Sequence, residues 1–165
     1  MLAVVGHTHN VGAIIFFNVE TGLEASFSMQ MTEQLYYSKM EAVAVSADRV
    51  YSCSHFFKSS KKWADPYLSA FTYKGKRTDL NVFIAGNTFE ACAGVVLDQN
   101  SEPLFLLYTS STEFRGKGAV ATVDLLIVKA TDSLTTELHW VGTVSDIELT
   151  SASFFKADSL YISGA

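Results

Sequence analysis

Histidines, cysteines and carboxylates are the residue types in this chain that could ligate a metal or attack a substrate. Gly6-His7-Thr8-His9-Asn10 follows a short apolar run and places two imidazoles close together, a ligand type that a two-metal hydrolytic centre could use. Such a centre also needs bridging carboxylates and further histidines from earlier strands. No such segment precedes the motif in this sequence, and His55 and His139, the only other histidines, lack metal-ligand spacing. His7 and His9 are therefore expected to be polar loop residues after a strand, with no metal and no cofactor. Nucleophilic chemistry fares no better. No G-x-S-x-G elbow is present, and Cys53 or Cys92 would need a partnered histidine. Ser54-His55 follows Cys53, but adjacent strand residues face opposite sides of a sheet. Arg115-Gly116-Lys117-Gly118 lacks the spacing and following helix of a phosphate loop. Asp124, Asp132, Asp146 and Asp158 are too scattered for a calcium loop. The sequence predicts no enzyme.

Composition narrows the classes further. The 165 residues fit one domain, which at this size buries roughly 70% of its unfolded-state surface. With 48% hydrophobic and only 18% charged residues, there is ample core material. The net charge of −5 is spread along the chain without a basic stripe, so nucleic acid is not expected as an obligate partner. Residues 58–62 and 74–77, the two basic clusters, read as a solvated loop and a hairpin tip. No apolar run approaches the roughly 18–20 residues that span a bilayer as a helix. The N-terminus lacks a basic n-region and reads as a strand that begins at once, not as a signal peptide, which hints at a chain cut from something longer. Cys53 and Cys92 both lie in strand reads and are expected to be buried free thiols, which leans toward a reducing, intracellular compartment.

The elements that must position these residues are strands. Helical periodicity is almost absent, and residues 31–43 hold one helical turn at most. Elsewhere, short runs rich in Val, Ile, Phe, Tyr and Thr suit a pleated surface. They pair into hairpins that recur about every 55 residues, a period that signals stacked supersecondary units. One hairpin type joins residues 42–45 to 50–53, 92–97 to 104–108, and 151–155 to 160–163; Glu41, Glu90 and Glu148 precede its copies and set the period. The other joins 14–19 to 24–29, 68–73 to 79–84, and 125–130 to 137–141. Polar turns such as Thr21-Gly22, Lys74-Gly75-Lys76 and Ala47-Asp48-Arg49 punctuate them. Units of four strands read as propeller blades. The expectation is one all-β segment, residues 1–165, of β-propeller blades with approximate units 1–40, 41–89, 90–147 and 148–165. The strand order is b, c, d, then two full sets of a to d, then a and b: about thirteen strands, or three and a quarter blades of an incomplete propeller.

A resemblance enters with Val43-Ala44-Val45-Ser46-Ala47-Asp48-Arg49-Val50-Tyr51 and Lys156-Ala157-Asp158-Ser159-Leu160-Tyr161-Ile162-Ser163-Gly164. A strand ending in Asp, a polar turn, then aliphatic-Tyr-aliphatic-small-Gly is similar to the repeats of seven-bladed bacterial-type propellers, the SBBP and NHL-like group. Phe27, Phe83 and Trp140 match the aromatic of their fourth strand. The middle copy departs from the pattern, with the longer turn Asp98-Gln99-Asn100-Ser101-Glu102-Pro103 and with Leu106-Leu107 in place of Tyr plus aliphatic. The resemblance carries over no functional residue.

Up-and-down topology sends the short turns to one end and the long links, at residues 7–12, 31–40, 55–65 and 109–123, to the other. The links carry an excess of aromatics: Tyr36, Tyr37, Phe56, Phe57, Trp63 and Phe114. These either anchor a partner or fold back to seal the ends of the sheets. Tyr36, Tyr37, Trp63 and Phe114 are the candidate binding residues. The functional expectation is a non-catalytic scaffold that binds protein partners or copies of itself completing the propeller. The rivals are part of a propeller enzyme with its active site in the central funnel, and an extracellular adhesion or carbohydrate-binding propeller.

Overall fold

A computed structural model describes residues 2–8, 11–18, 22–28, 35–58, 64–114, 123–132, 136–141, 149–156 and 159–164. Among them there are thirteen strands and no helix. These are β1 (Leu2–Thr8), β2 (Val11–Asn18), β3 (Gly22–Ser28), β4 (Leu35–Val45), β5 (Arg49–Lys58), β6 (Ala64–Thr72), β7 (Arg77–Phe83), β8 (Glu90–Leu97), β9 (Pro103–Thr109), β10 (Asp124–Ala130), β11 (Thr136–Val141), β12 (Leu149–Lys156) and β13 (Ser159–Gly164). They form four antiparallel sheets, β1–β3, β4–β7, β8–β11 and β12–β13, each contiguous in sequence and free of crossovers. The first strand of each sheet packs against the first strand of the next: β1 on β4, β4 on β8, β8 on β12.

Register repeats between sheets. In β4–β5, Met40 pairs with Ser54 and Ala42 with Cys53, leaving Glu41 as an extra residue. In β8–β9, Cys92 pairs with Leu107 and Gly94 with Leu106, leaving Ala93 extra. A register shift interrupts β12–β13 between Leu149 and Ser153, at the corresponding place. Bulges placed alike bend each first strand alike. They also correct the sequence period: Glu41 corresponds to Ala93, not to Glu90. Glu90 stands at the very start of β8, and sheet β4–β7 begins at Leu35.

Two apolar seams hold the sheets together. Cys53, Leu68, Ala70 and Leu80 of sheet β4–β7 meet Phe105, Leu107, Leu126 and Val128 of sheet β8–β11. On its other face, sheet β4–β7 presents Met40, Val50, Phe56, Tyr67 and Phe71, with Ile14 of β2 packed among them. With both faces covered, β6 is buried in all but its last residue, whereas edge strand β7 fully buries Leu80 alone.

The links are shorter than the sequence suggests. β4 begins at Leu35, so Tyr36 and Tyr37 are strand residues, and residues 35–43 are extended where a helical turn was possible. β5 runs to Lys58 and absorbs Phe56 and Phe57, while β1 and β2 absorb all of the first link except residues 9–10. The cause is the aromatics: Tyr and Phe favour strands, and here that preference extends the ladders. The cysteines also differ from expectation, since neither is a free thiol. Cys53 and Cys92 are joined in a disulfide, with Cα atoms 5.9 Å apart. Their strands belong to different sheets that pack face to face, a proximity that strand pairing within either sheet does not imply. The case for a reducing compartment loses its basis.

Candidate functional site

The two ends of the sheets differ. At the short-turn end, Ser46 Oγ accepts the N–H groups of Asp48 and Arg49, closing the β4–β5 turn. Gly75, at φ 76°, closes the β6–β7 turn. The Tyr73 hydroxyl donates to the Ser46 carbonyl and ties these turns together. In the β8–β9 turn, Asp98 Oδ1 accepts the N–H groups of Asn100 and Glu102 at 2.8 and 2.9 Å. Lys129 Nζ sits 2.5 Å from Glu102.

At the opposite end, the β7–β8 link meets the start of the β9–β10 link. Thr88 Oγ1 and Ser110 Oγ share a hydrogen bond of 2.8 Å, Phe89 N–H donates to Ser110 Oγ at 3.2 Å, and Asn87 Nδ2 donates to Thr112 Oγ1 at 3.1 Å. Beneath them lies Glu90, fully buried. Its Oε2 accepts the Gly86 N–H at 3.0 Å, and its Oε1 accepts the hydroxyls of Thr109, at 3.3 Å, and Ser111. Ser111 Oγ in turn accepts the Thr88 N–H at 2.9 Å. Register places Glu90, Thr109 and Asp124 side by side across β8, β9 and β10, and all three are fully buried. Two carboxylates in one row would suit acid–base work if a substrate could reach them. Enclosed as they are, the work visible for Glu90 is to hold two links together through three donors. The outer rim of this end offers exposed amide and hydroxyl groups, Asn87, Thr88 and Thr112.

The sequence candidates divide at this end. Tyr37 pairs in register with Phe57, and Tyr36 is the extra residue beside that pair. Trp63 lies outside the described residues, as do His9 and the 115–118 loop. Phe114 is half-buried against the seam between the two four-stranded sheets, and its N–H donates to the Ser111 carbonyl at 3.2 Å. Phe114 thus folds back onto the core. Phe56 is fully buried and meets Tyr67 edge-on at 5.0 Å and Phe83 at 5.7 Å, while the Arg77 guanidinium lies 5.8 Å over the Tyr67 ring. Burial raises the Tyr67 hydroxyl above its ordinary pKa.

A second cluster lies at the seam. His55 stands two residues from Cys53 and shares its face. Its Nε2 accepts the Cys92 N–H at 2.5 Å, and its Nδ1 lies 3.3 Å from Glu41 Oε1, which also pairs with Lys39 Nζ at 2.8 Å. An accepting Nε2 puts the proton of the neutral ring on Nδ1, toward the carboxylate. Burial pushes the imidazole below its ordinary pKa, against the opposing pull of Glu41. Attention to neighbours in sequence hides this cluster; the i, i+2 spacing of Cys53 and His55 was the signal that could have found it. No group of three or more His, Cys, Asp or Glu among the described residues could hold a metal ion. No helix among them is long and apolar enough to cross a membrane.

No protein-family model matches the chain, and no curated protein matches it.

Proposed function

We propose that the chain is a run of β-propeller blades that acts as a non-catalytic platform for protein contacts, within a longer chain or a larger assembly. The observation that carries this reading is the succession of sheets of three, four, four and two strands, each leading strand packed on the next. Up-and-down blades arrayed about an axis have this order. The bulge at the same place in successive sheets supports it, as does the Asp48–Tyr51 pattern repeated at Asp158–Tyr161, which underlies the likeness to SBBP and NHL-like blades. The binding surface in this reading is the link-bearing end, with Tyr36, Tyr37, Trp63 and Phe114 as its candidate contacts.

Partner contact also has a second place to act. Tyr161 corresponds to Tyr51 by position after the turn. Tyr51 is 8% exposed under the following sheet, whereas Tyr161 is 50% exposed. A large apolar side chain at a position built to be covered favours a covering partner or a second copy. Light scattering tests this directly. The chain is expected to self-associate or to need its partner for solubility, and Tyr161→Lys is expected to weaken that association. A stable, soluble monomer of the unaltered chain at tens of micromolar concentration would refute the reading. The disulfide favours one rival, an extracellular adhesion or carbohydrate-binding propeller, because such bridges persist in oxidising surroundings. Binding of the purified chain to a glycan array, and loss of that binding in Asn87→Ala or Thr112→Ala, would favour the rival.

A further inference from the structure

The two four-stranded sheets share a seam but no hydrogen-bonded ladder. At that seam Cys53 of β5 is fully buried and Cys92 of β8 is 8% exposed, and the two are bonded across 39 residues of chain. The chain contains two cysteines, so none is left to exchange with the bridge. Beside it, His55 Nε2 holds the backbone N–H of Cys92 itself, and Glu41 with Lys39 brackets the other side of the ring. The bridge and the imidazole therefore grip β8 at one residue, one through its side chain and one through its backbone.

We propose that the Cys53–Cys92 bridge is a redox-sensitive lock between these two sheets, that His55 is a positioning residue holding β8 against it, and that the chain takes its working form in an oxidising compartment. The inference stands on the seam alone and does not depend on the propeller reading. In the unlocking step, a dithiol reductant attacks the S–S bond through its thiolate. The bond breaks, Cys53 and Cys92 each take up one electron and one proton, and the reductant leaves as its own disulfide. Because both sulfurs are enclosed, attack requires the seam to open. The rate of reduction therefore reports how firmly the sheets are held. Once reduced, the sheets keep their apolar contact but lose the covalent tie, and the seam opens more often.

Three measurements on the full chain decide the matter. Alkylation in denaturant followed by intact mass, on protein made in an oxidising host compartment, is expected to add nothing before reduction and two adducts after it. Two adducts without reduction would overturn the lock. Dithiothreitol is expected to lower the melting temperature of the unaltered chain and to leave the Cys53→Ala/Cys92→Ala variant unmoved; an equal response, or none in either, overturns it. Should that variant fail to fold, hydrogen exchange of the unaltered chain replaces it: reduction is expected to speed exchange in β5 and β8 selectively, and unchanged protection there overturns the proposal. For His55, the readout is the reduction rate under native conditions. His55→Ala is expected to raise it several-fold and His55→Gln, which keeps an acceptor, to raise it less. Equal rates in all three chains remove the positioning role.

Discussion

A Cβ added at Gly86 would stand 2.2 Å from Ser111 Oγ, 2.5 Å from Glu90 Oε1 and 2.6 Å from Ser111 Cβ. Glycine is required there because the backbone must come close enough to donate to the buried carboxylate. Gly86→Ala is expected to destabilise the fold by about 2 kcal/mol, within the range for overpacking a filled site. Glu90→Gln puts an amide N–H₂ where a donor already points and should cost about 1–3 kcal/mol. Denaturant midpoints check both. His55 yields a pH dependence whose sign follows from its burial. Its pKa in the folded chain lies below the ordinary 6.5, so the unfolded chain takes up the proton first. The stability that the neutral ring contributes is therefore whole above that ordinary value, falls as pH drops through it, and levels off below the folded-state value. Unfolding midpoints between about pH 7.5 and 5.5 should decline in the unaltered chain and decline less in His55→Gln.

At the scale of the elements, six hairpins were legible in the sequence, and for a physical reason, whereas the tight β1–β2 hairpin read as a long link. The described short turns carry residues whose backbone preference or side-chain hydrogen bond ends a strand locally, as Ser46, Asp98 and Gly75 do. The register Val45 with Val50 and Ala42 with Cys53 follows from the turn that joins them. The far ends of the strands were not legible, because aromatics such as Tyr37 and Phe57 suit a long ladder as well as an exposed link, and only cross-strand pairing decides between them. The disulfide and the Glu90 network were hidden for another reason. The disulfide joins two different sheets, and the Glu90 network ties two links together beside one ladder; no local pattern encodes either contact. What remains testable at this scale is the difference between the two ends. If the link-bearing end is the binding surface, Trp63→Ala should weaken a partner by about 2 kcal/mol or more, as hot-spot truncations do. Arg49→Ala or Lys76→Ala, at the short-turn end, should change binding little. Calorimetric titration of the three variants distinguishes the ends, and the reverse ranking would reassign the surface.

For the molecule as a whole, the Cys53–Cys92 bridge closes a loop that spans the boundary between sheets, with a sequence separation of 39. By the chain-entropy account, closing a loop of that length stabilises the fold by about 4 kcal/mol, a large share of the roughly 5–15 kcal/mol typical of a domain. Removing both cysteines should lower unfolding stability by an amount of that order, read from denaturant curves without reductant. A loss below about 1 kcal/mol would place the seam's strength in its apolar contacts instead. The absence of crossovers among the four sheets has a consequence of its own. Every sheet is spelled by one uninterrupted stretch of chain, so a duplication or loss of about 55 residues at a link adds or subtracts one whole sheet without cutting a ladder. A gene for such a chain can change length in steps of one sheet. The steps it takes most readily leave residues 53–92 intact, since a cut there would separate the two halves of the bridge.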